Sequence, residues 1–385
     1  VHQASALMSV ETHLGVGAIG ELSGILEAHG VETVLVVTGP YSYSMSGATD
    51  MVDPVLAPYR TVRFSTLADY PDLPDIERGV ELCRRAKPDV VIAVGGGTVI
   101  DIAKLLRICS ANDATPGEIA TGVGKIKQTG PPLVAIPTTA GSGSEATHFA
   151  VIFDQQRKYS VAHQFVQPDF AIVDPSLTYS MSEEQTAVCG LDVLCQSVES
   201  IWSVGSSKES RTWASEAVQL VLLNLLEAVQ APNQSCRESM SRAAHLAGRA
   251  INITKTTAPH ALSYTLTTSY GLPHGHAVAL TLGSFLEFND EVSEEDLNDP
   301  RGVEHVREVI GEVCSLLGVG SPMEGHRAIA DLMVAIGMET RLGPYGIRNA
   351  VACEQIVETV NVERLSNNPR SPTKAQLAQI LEKLI

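Results

Sequence analysis

Residues 1–180 contain four short apolar runs without polar alternation, and each run ends at Gly or Pro. A strand with one face in water alternates polar and apolar residues, so unbroken runs predict strands buried on both faces of a parallel sheet. Helical patterns lie between the runs, and this alternation predicts an α/β domain. The predicted strands are Val34–Val37, Val90–Val94, Leu133–Ile136 and Ala171–Val173, and the predicted helices are Ala18–His29, Leu73–Ala86 and Val99–Ser110.

Residues 181–385 follow a different pattern, because strand-like runs nearly vanish and apolar residues recur at helical spacing. This periodicity predicts an all-helical second domain. The acidic segment 293–300 and the proline-flanked segment 369–372 are predicted loops. The predicted helices are Leu191–Ile201, Ala214–Val229, Met240–Ile251, Val303–Leu317, Gly325–Ile336 and Cys353–Val360.

The charge balance excludes two classes of partner. The chain has 27 Lys and Arg residues against 44 Asp and Glu residues, a formal net charge of −17. Nucleic acids and anionic membranes attract a positive field, so neither is an expected partner. The sequence also lacks the uninterrupted apolar stretch of about 18 residues that a membrane helix needs.

The cysteines and the first residues suggest a location. The seven cysteines, at positions 83, 109, 189, 195, 236, 314 and 353, form no CxxC pair. An odd number of scattered cysteines in a long chain argues against a disulfide scaffold and favours a reducing compartment. Residues 1–17 lack the basic start and long apolar run of a signal peptide. The expected location is therefore the cytoplasm.

Two glycine-rich segments compete for the role of phosphate-binding loop. Gly15–Gly20 matches GxGxxG, but residues 9–14 make a poor strand and no acid stands at Gly39, where the next strand ends. Gly95–Asp101 follows a strong strand and opens a helix, so its backbone N–H groups can approach a diphosphate. Thr98 can cap that helix. A tight strand-to-helix turn is the alternative.

A polar loop follows the next predicted strand. Residues 137–145, PTTAGSGSE, are rich in hydroxyl side chains and glycine. In open α/β sheets, nucleotides bind at the carboxyl ends of the strands, where this loop begins. The loop is therefore a second candidate nucleotide contact, with a solvated loop as the alternative.

Four side chains of the second half together suit a divalent metal ion. Asp192 and Gln196 lie at i and i+4 in a predicted helix and share one face. His260 stands near a helix start, and His274 lies in the segment Pro273–His276. One carboxylate, one amide oxygen and two imidazoles suit Fe²⁺ or Zn²⁺. Taken singly, each residue has an ordinary structural alternative, such as a helix cap for Asp192.

These segments together resemble the group III, iron-containing alcohol dehydrogenase family over nearly the whole chain. The resemblance implies an α/β dinucleotide-binding domain, residues 1–180, and a helical metal-binding domain, residues 181–385. This fold is shared with dehydroquinate synthase-like enzymes, and the family's active site lies in the cleft between the domains. NAD(P)H, a divalent metal and a homodimer are implied. The motifs that carry the resemblance are Gly95–Lys104, Pro137–Glu145, Gly190–Asp192 and Pro273–Gly275.

The resemblance also implies roles for individual residues. Fe²⁺ is the expected ion, with Zn²⁺ as the alternative. Gly96, Gly97 and Thr98 would bind the diphosphate, and Asp101 would lie near the nicotinamide. The implied metal ligands are Asp192, Gln196, His260 and His274; the adenine- and ribose-side contacts are Gly39, Thr138, Thr139, Ser142 and Lys158; and Tyr264 joins Asp192, His260 and His274 in the catalytic set.

Three positions depart from the family pattern. Gln196 stands where the family usually has His, which leaves the formal charge of the site unchanged but alters a donor. Tyr264 replaces a common His, so a proton relay there would run through the phenol or water. Gly39 replaces the acid that favours NAD, so no carboxylate repels the 2′-phosphate of NADP.

A narrower resemblance, to phosphonoacetaldehyde reductases, rests on Leu194–Gln196 and Ile253–His260. It implies reduction of phosphonoacetaldehyde to 2-hydroxyethylphosphonate in phosphonate natural-product biosynthesis. Lys255 is a candidate cation for the phosphonate, with Thr256 and Thr257 as hydrogen-bond donors. A solvated lysine at a helix end is the alternative, and Arg157 is a weaker candidate.

The expected reaction is metal-assisted hydride transfer to a small aldehyde. The proton would arrive through water, helped by Tyr264 or by His276, although His276 also suits a purely structural role. The alternatives are a reductase of another small aldehyde, a dehydroquinate synthase-like lyase, and a nucleotide-binding protein without activity.

Overall fold

The computed structural model describes residues 9–65, 70–154, 157–360 and 365–385. Residues 1–8, which belong to the segment where no signal peptide is predicted, lie outside these ranges. The chain divides into two units, with the boundary after Met181. Within the described residues, no helix is both long and apolar enough to cross a membrane.

The first unit contains the strands β1 (Glu11–Leu14), β2 (Thr33–Thr38), β3 (Arg60–Ser65), β4 (Val90–Gly95), β5 (Leu133–Pro137), β6 (Phe149–Asp154), β7 (Arg157–Ala162) and β8 (Phe170–Val173). Six of them form a sheet in the order β1-β8-β5-β4-β2-β3, and all of its pairs are parallel. The other two, β6 and β7, form an antiparallel hairpin. The parallel sheet predicted from the apolar runs is confirmed.

Burial of both sheet faces explains why the central runs are apolar without interruption. In β2, Leu35 and Val37 pack into one hydrophobic cluster, whereas Val34 and Val36 pack into another. Successive side chains of a strand point to opposite faces, so both clusters draw on the same strand. Each face therefore has its own core, as in other α/β sheets covered by helices.

The first unit also contains α1 (Glu21–Ala28), α2 (Ser42–Met45), α3 (Ala48–Leu56), α4 (Leu73–Ala86), α5 (Gly97–Ala111) and α6 (Pro116–Ala120). The N-terminal cap of α4 shows why this helix could be predicted from local sequence. The Asp72 carboxylate accepts a hydrogen bond from Asp75 N at 2.9 Å, and a proline occupies the first turn. Such a cap satisfies a backbone donor that has no acceptor within the helix.

The sequence interpretation missed the edge strands. Residues 9–14 were expected to make a poor strand, yet Glu11–Leu14 is β1 and pairs in parallel with β8. An edge strand has only one neighbour, and Glu11, Thr12 and Leu14 are exposed, so β1 does not need an apolar run. The prediction failed for this reason, and β3, at the opposite edge, was missed as well.

The second unit contains α7 (Glu183–Trp202), α8 (Lys208–Gln230), α9 (Gln234–Thr254), α10 (Ala258–Tyr270), α11 (His274–Asp290), α12 (Val303–Leu316), α13 (Pro322–Ala335), α14 (Ala350–Glu358) and α15 (Lys374–Glu382). Its described residues form no named strand, so the helical region predicted from the periodicity is confirmed. The whole of α11 escaped prediction. Almost every residue of α11 is buried, and a helix buried all round shows no amphipathic stripe.

Candidate metal and nucleotide sites

Three helices of the second unit bring the predicted metal ligands together. Asp192 and Gln196 lie one turn apart on α7, His260 lies in the first turn of α10, and His274 is the first residue of α11. Ligand atoms of Asp192, His260 and His274 all lie within 4.8 Å of one another. His260 Nε2 lies 3.4 Å from Asp192 Oδ1. The cluster thus unites residues that are up to 82 positions apart in the sequence.

A glycine permits this close approach. A Cβ on Gly275 would lie 2.1 Å from Val188 O and 2.9 Å from Asp192 Cβ. No other residue fits there without moving the backbone of α7 away from α11. Gly275 therefore allows the preceding residue, His274, to stand beside Asp192, which gives a physical reason for the sequence Pro273-His274-Gly275.

The donor atoms of the cluster fit a divalent cation. Asp192 Oδ1 and Gln196 Oε1 are buried, and neither has a hydrogen-bond partner among the described residues. Buried acceptors without a partner cost free energy unless a ligand satisfies them. Burial favours a higher pKa for Asp192, but the interactions with His260 and His274 hold that pKa below its usual value, so the carboxylate is ionised.

Glu199, which sequence reasoning missed, orients His260. It is fully buried on α7, and its Oε1 contacts His260 Nδ1. Its Oε2 accepts hydrogen bonds from Thr257 N at 2.6 Å and from Thr257 Oγ1 at 2.8 Å. A carboxylate at Nδ1 keeps the proton on that nitrogen and leaves Nε2 free to bind a metal. The sequence held one signal for Glu199: it and Asp192 are the only charged residues within the predicted helix 191–201.

The same carboxylates control the protonation of His260. Burial lowers the pKa of this imidazole, but Glu199 and Asp192 outweigh that effect and raise it to about 10. In the absence of a cation, His260 is therefore protonated at neutral pH. Binding of a metal must displace this proton, so metal uptake is coupled to proton release.

Tyr264 and His276 take different places. The Tyr264 ring stacks on the His274 ring, with centroids 6.3 Å apart and planes 13° apart. His276 points elsewhere: its Nε2 lies 2.6 Å from Glu339 O, and its Nδ1 lies 3.4 Å from Tyr345 Oη. Both ring nitrogens of His276 thus have partners within the second unit, which supports the structural role over the proton relay.

Thr257 also departs from its predicted role. It was a candidate donor to a substrate, but its hydroxyl donates to Glu199 Oε2 and accepts from Trp202 Nε1 at 2.9 Å. A hydroxyl has a single proton, so none remains for a substrate. The prediction that its hydroxyl donates to a substrate is therefore wrong, and Thr257 instead holds Glu199 in place. Lys255 and Thr256 lie just before it, between α9 and α10.

In the first unit, the candidate nucleotide residues gather at the carboxyl ends of adjacent strands. Thr38 at the end of β2 pairs with Val94 of β4, so Gly39 follows beside the glycine segment. Thr138 N donates to Gly95 O at 3.0 Å, which joins the loop after β5 to that segment. This edge of a parallel sheet is where α/β folds bind nucleotides. Lys158 belongs to the β6–β7 hairpin, where it pairs with Phe153.

The three glycines at the junction of β4 and α5 differ in the space that surrounds them. A Cβ on Gly95 would lie 2.6 Å from Val99 Cβ, and one on Gly97 would lie 2.6 Å from Ser142 Oγ. Packing alone therefore demands glycine at both positions. At Gly96 the nearest atom to a Cβ would be Thr139 Oγ1 at 3.4 Å. Gly96 is also the N-cap of α5, so Thr98 lies inside the helix and does not cap it as predicted.

The Asp101 carboxylate makes two hydrogen bonds within the first unit. Its Oδ1 accepts from Ser144 Oγ at 2.6 Å and its Oδ2 accepts from Val151 N at 2.9 Å. The carboxylate therefore ties α5 to the loop after β5 and to β6, and its place near the nicotinamide stays a prediction. Lys104, fully buried one turn further on, donates to Ser144 Oγ at 2.9 Å and to Thr147 Oγ1 at 3.0 Å. Burial lowers its pKa from 10.5 to about 8.

The GxGxxG copy makes a structural contact. Gly15–Gly20 leads through a short 3₁₀ turn into α1, and Ile19 N donates to Asp174 Oδ2 at 3.2 Å. A carboxylate of the protein thus occupies a backbone donor that a phosphate would need. This contact favours the interpretation of the segment as a loop and helix start.

Comparison with known proteins agrees with both parts of the chain. Residues 9–175 match the family profile "Iron-containing alcohol dehydrogenase", and residues 186–385 match "Fe-containing alcohol dehydrogenase family, C-terminal". The phosphonoacetaldehyde reductase of Streptomyces viridochromogenes is 37% identical over 81% of this chain and 80% of its own length. Long-chain-alcohol dehydrogenase 1 of Geobacillus thermodenitrificans is 29% identical over 96% of this chain and 94% of its own length.

Solved structures show the same similarity. The sulfoacetaldehyde reductase of Bifidobacterium kashiwanohense, determined in complex with NAD⁺, superposes with a TM-score of 0.87 at 30% identity, covering 100% of this chain and 99% of that one. An iron-containing alcohol dehydrogenase of Thermotoga maritima superposes with a TM-score of 0.84 at 28% identity, covering 98% of each chain.

The chain belongs to the iron-containing alcohol dehydrogenase family. It is accordingly an NAD-dependent oxidoreductase of the alcohol dehydrogenase class, as the sequence predicts, and its relatives act on alcohols and small aldehydes. This membership decides against the lyase that was considered as an alternative.

Proposed function

We propose that this enzyme reduces a small aldehyde that carries an anionic group, with phosphonoacetaldehyde as the first candidate and 2-hydroxyethylphosphonate as the product. The observation that carries the proposal is the cluster formed by Asp192, Gln196, His260 and His274, which contains two imidazoles and two buried oxygens that accept no hydrogen bond from the described residues. The choice of substrate is supported by 37% identity to a phosphonoacetaldehyde reductase. A place in phosphonate natural-product biosynthesis follows if that substrate is right.

In this proposal the metal, the cofactor and the protein side chains have separate roles. When bound, a divalent metal supplies Lewis-acid stabilisation of the developing alkoxide and the reduced nicotinamide supplies the hydride. Asp192, Gln196, His260 and His274 hold the cation, for which Fe²⁺ is preferred and Zn²⁺ is the alternative. Glu199 keeps His260 in the tautomer that can bind it. The alkoxide takes its proton from water, and Tyr264, stacked on His274, is the side chain through which we route it.

The cofactor would lie at the carboxyl edge of the sheet. The first turn of α5, with Gly96, Gly97 and Thr98, offers backbone N–H groups without intrahelical acceptors, which suit a diphosphate. A Cβ at Gly39 would lie 2.4 Å from Ser42 Oγ, so even a small side chain requires Ser42 to move. Without an acid at Gly39, nothing at that position repels a 2′-phosphate, and we propose that the enzyme accepts NADPH as well as NADH.

A sulfonate analogue is the second candidate substrate. The sulfoacetaldehyde reductase of Bifidobacterium kashiwanohense covers 100% of this chain at 30% identity. Sulfoacetaldehyde and phosphonoacetaldehyde share an aldehyde and a tetrahedral oxyanion joined by one methylene group. A homodimer is proposed on the resemblance to the family alone.

One assay tests the proposal. The protein is loaded anaerobically with Fe²⁺ or Zn²⁺, and oxidation of NADH and NADPH is followed with phosphonoacetaldehyde, sulfoacetaldehyde, propionaldehyde and butyraldehyde. We expect the highest kcat/KM for phosphonoacetaldehyde, and loss of activity without loss of fold in His260→Ala. His305→Ala, on α12, is the matched control and should retain activity. A preference for uncharged aldehydes would refute the proposed substrate class, and an active metal-free His260→Ala variant would refute the proposed site.

A further inference from the structure

Lys255 has a backbone conformation that ordinary residues avoid. At the end of α9 its φ is 57° and its ψ is −178°, in a region of backbone space that is nearly restricted to glycine. Among the described residues, Lys87 is the other non-glycine residue with positive φ. Lys87, however, has the common left-handed geometry of a helix end, with φ 50° and ψ 58°. Of these two residues, Lys255 is therefore the one whose backbone conformation is strongly strained.

A clasp from the C-terminal part of the chain holds this conformation. Asn367 Nδ2 donates to Thr254 O at 2.6 Å and to Thr256 O at 3.0 Å. Its Oδ1 accepts from Ser203 Oγ at 3.0 Å. The carbonyls on both sides of Lys255 thus converge on one amide group. Strained residues persist only where their surroundings over-determine them, and Asn367 supplies that restraint.

The strained segment is anchored to the same carboxylate as the metal-site histidine. Glu199 Oε2 accepts from Thr257 N, two residues after Lys255, while Glu199 Oε1 contacts His260 Nδ1. Both contacts are buried. The backbone at Lys255 is therefore held in a fixed relation to His260, because one side chain ties down both.

We infer that Lys255 selects aldehydes bearing a phosphonate or sulfonate group, and that Asn367 is a positioning residue that acts through it. This inference rests on the proposed function. In such substrates the phosphorus or sulfur lies two bonds from the carbonyl carbon, so the cation that pairs with the oxyanion must stand at a set distance from the site that holds the aldehyde. A protein with a net charge of −17 must supply that cation locally. Glycine would relieve the strain, so a lysine at this position indicates use of its charge.

The test separates charge from strain. Lys255→Met removes the charge and keeps the strain, whereas Lys255→Gly removes both; Asn367→Ala keeps the charge and opens the clasp. In all three we expect the ratio of kcat/KM for phosphonoacetaldehyde to that for propionaldehyde to fall at least tenfold, mainly through KM. Melting of the metal-free protein is the second readout: Lys255→Gly should melt about 2–4 °C higher than Lys255→Met.

Two comparisons decide the outcome. In the Lys255→Met background, Asn367→Ala should not lower the ratio further, since a positioning residue needs the residue that it positions. Lys87→Gly, the matched control, should leave the ratio unchanged. If the wild type prefers phosphonoacetaldehyde or sulfoacetaldehyde and Lys255→Met keeps the preference, the inference is overturned while the proposed function stands. If the wild type has no such preference, both are overturned.

Discussion

Replacing Glu199 with Gln tests whether this buried carboxylate sets the tautomer of His260. Glu199 accepts two hydrogen bonds from Thr257 at Oε2 and contacts His260 Nδ1 at Oε1. An amide accepts at one end and donates at the other. If its oxygen stays with the two Thr257 donors, its NH₂ group faces Nδ1, and the proton of the neutral imidazole moves to Nε2. That nitrogen lies 3.4 Å from Asp192 Oδ1, on the side of the proposed cation.

The expected size of the effect follows from the contacts that change. A hydrogen bond to a charged group contributes about 1.5–3 kcal/mol, which corresponds to roughly 10- to 150-fold in an equilibrium constant. Loss of an outer partner of a metal-ligating histidine typically lowers metal affinity or activity about 10- to 100-fold. We therefore expect Glu199→Gln to bind Fe²⁺ about 10- to 100-fold more weakly, with a lower kcat at saturating Fe²⁺.

Anaerobic equilibrium dialysis with Fe²⁺ measures the affinity, and circular dichroism checks that the variant is folded. Glu209→Gln, the same change at an exposed position on α8, is the control and should bind Fe²⁺ like the wild type. A folded Glu199→Gln variant with wild-type affinity and wild-type kcat would show that Glu199 does not govern His260, and the reasoning from its contacts would be refuted.

Three further predictions concern the metal site and the core of the first unit. Gln196→His replaces an amide oxygen with an imidazole, which borderline ions prefer, so the Zn²⁺ affinity measured by competition titration should rise at least about tenfold. The exposed Gln185→His is the control. An unchanged affinity in Gln196→His would mean that Gln196 does not face the cation. Gly275→Ala should weaken metal binding and lower the free energy of unfolding by about 1–3 kcal/mol, because the new Cβ meets Val188 O. Gly311→Ala, in open space on α12, is the control and should change neither. Equal losses of unfolding free energy in urea denaturation of the two variants would contradict the packing argument. The pKa of Lys104 is lowered from 10.5 to about 8 by burial, so between these values the unfolded chain binds more protons than the folded one and stability rises with pH. The gain, measured by urea denaturation of the metal-free protein against Lys104→Met, should reach roughly 3 kcal/mol; a flat difference from pH 7.5 to 10.5 would contradict it.

The central strands were predictable because both sheet faces leave a mark in one short segment. In β2, neighbouring residues such as Leu35 and Val36 enter different clusters, so the whole run must be apolar. At the sheet edge this constraint disappears, which is why β1 was judged a poor strand. Helices followed the same rule: amphipathic α12 was predicted, whereas α11, buried on nearly all sides, showed no stripe.

The candidate site was predictable only as a set of donor residues. Asp192 and Gln196 share a helix face by spacing alone, and local sequence together with the family resemblance singled out His260 and His274. What these residues do besides binding a cation depends on hydrogen-bond partners elsewhere in the chain, which the local sequence pattern does not show. The Asp101 carboxylate illustrates the limit, since its acceptors are occupied by Ser144 and by Val151 N, 50 positions away.

By itself, the sequence determined the central strands, many of the helices, the family and the residues able to hold a cation, because apolar periodicity and motif spacing are local properties. Only the tertiary structure decided that Glu199 orients His260, 61 positions away, and that Asn367 closes on the carbonyls beside Lys255. Such contacts arise when packed helices bring distant side chains within hydrogen-bond distance. The free energy of a buried polar group depends on those neighbours, which local sequence alone does not reveal.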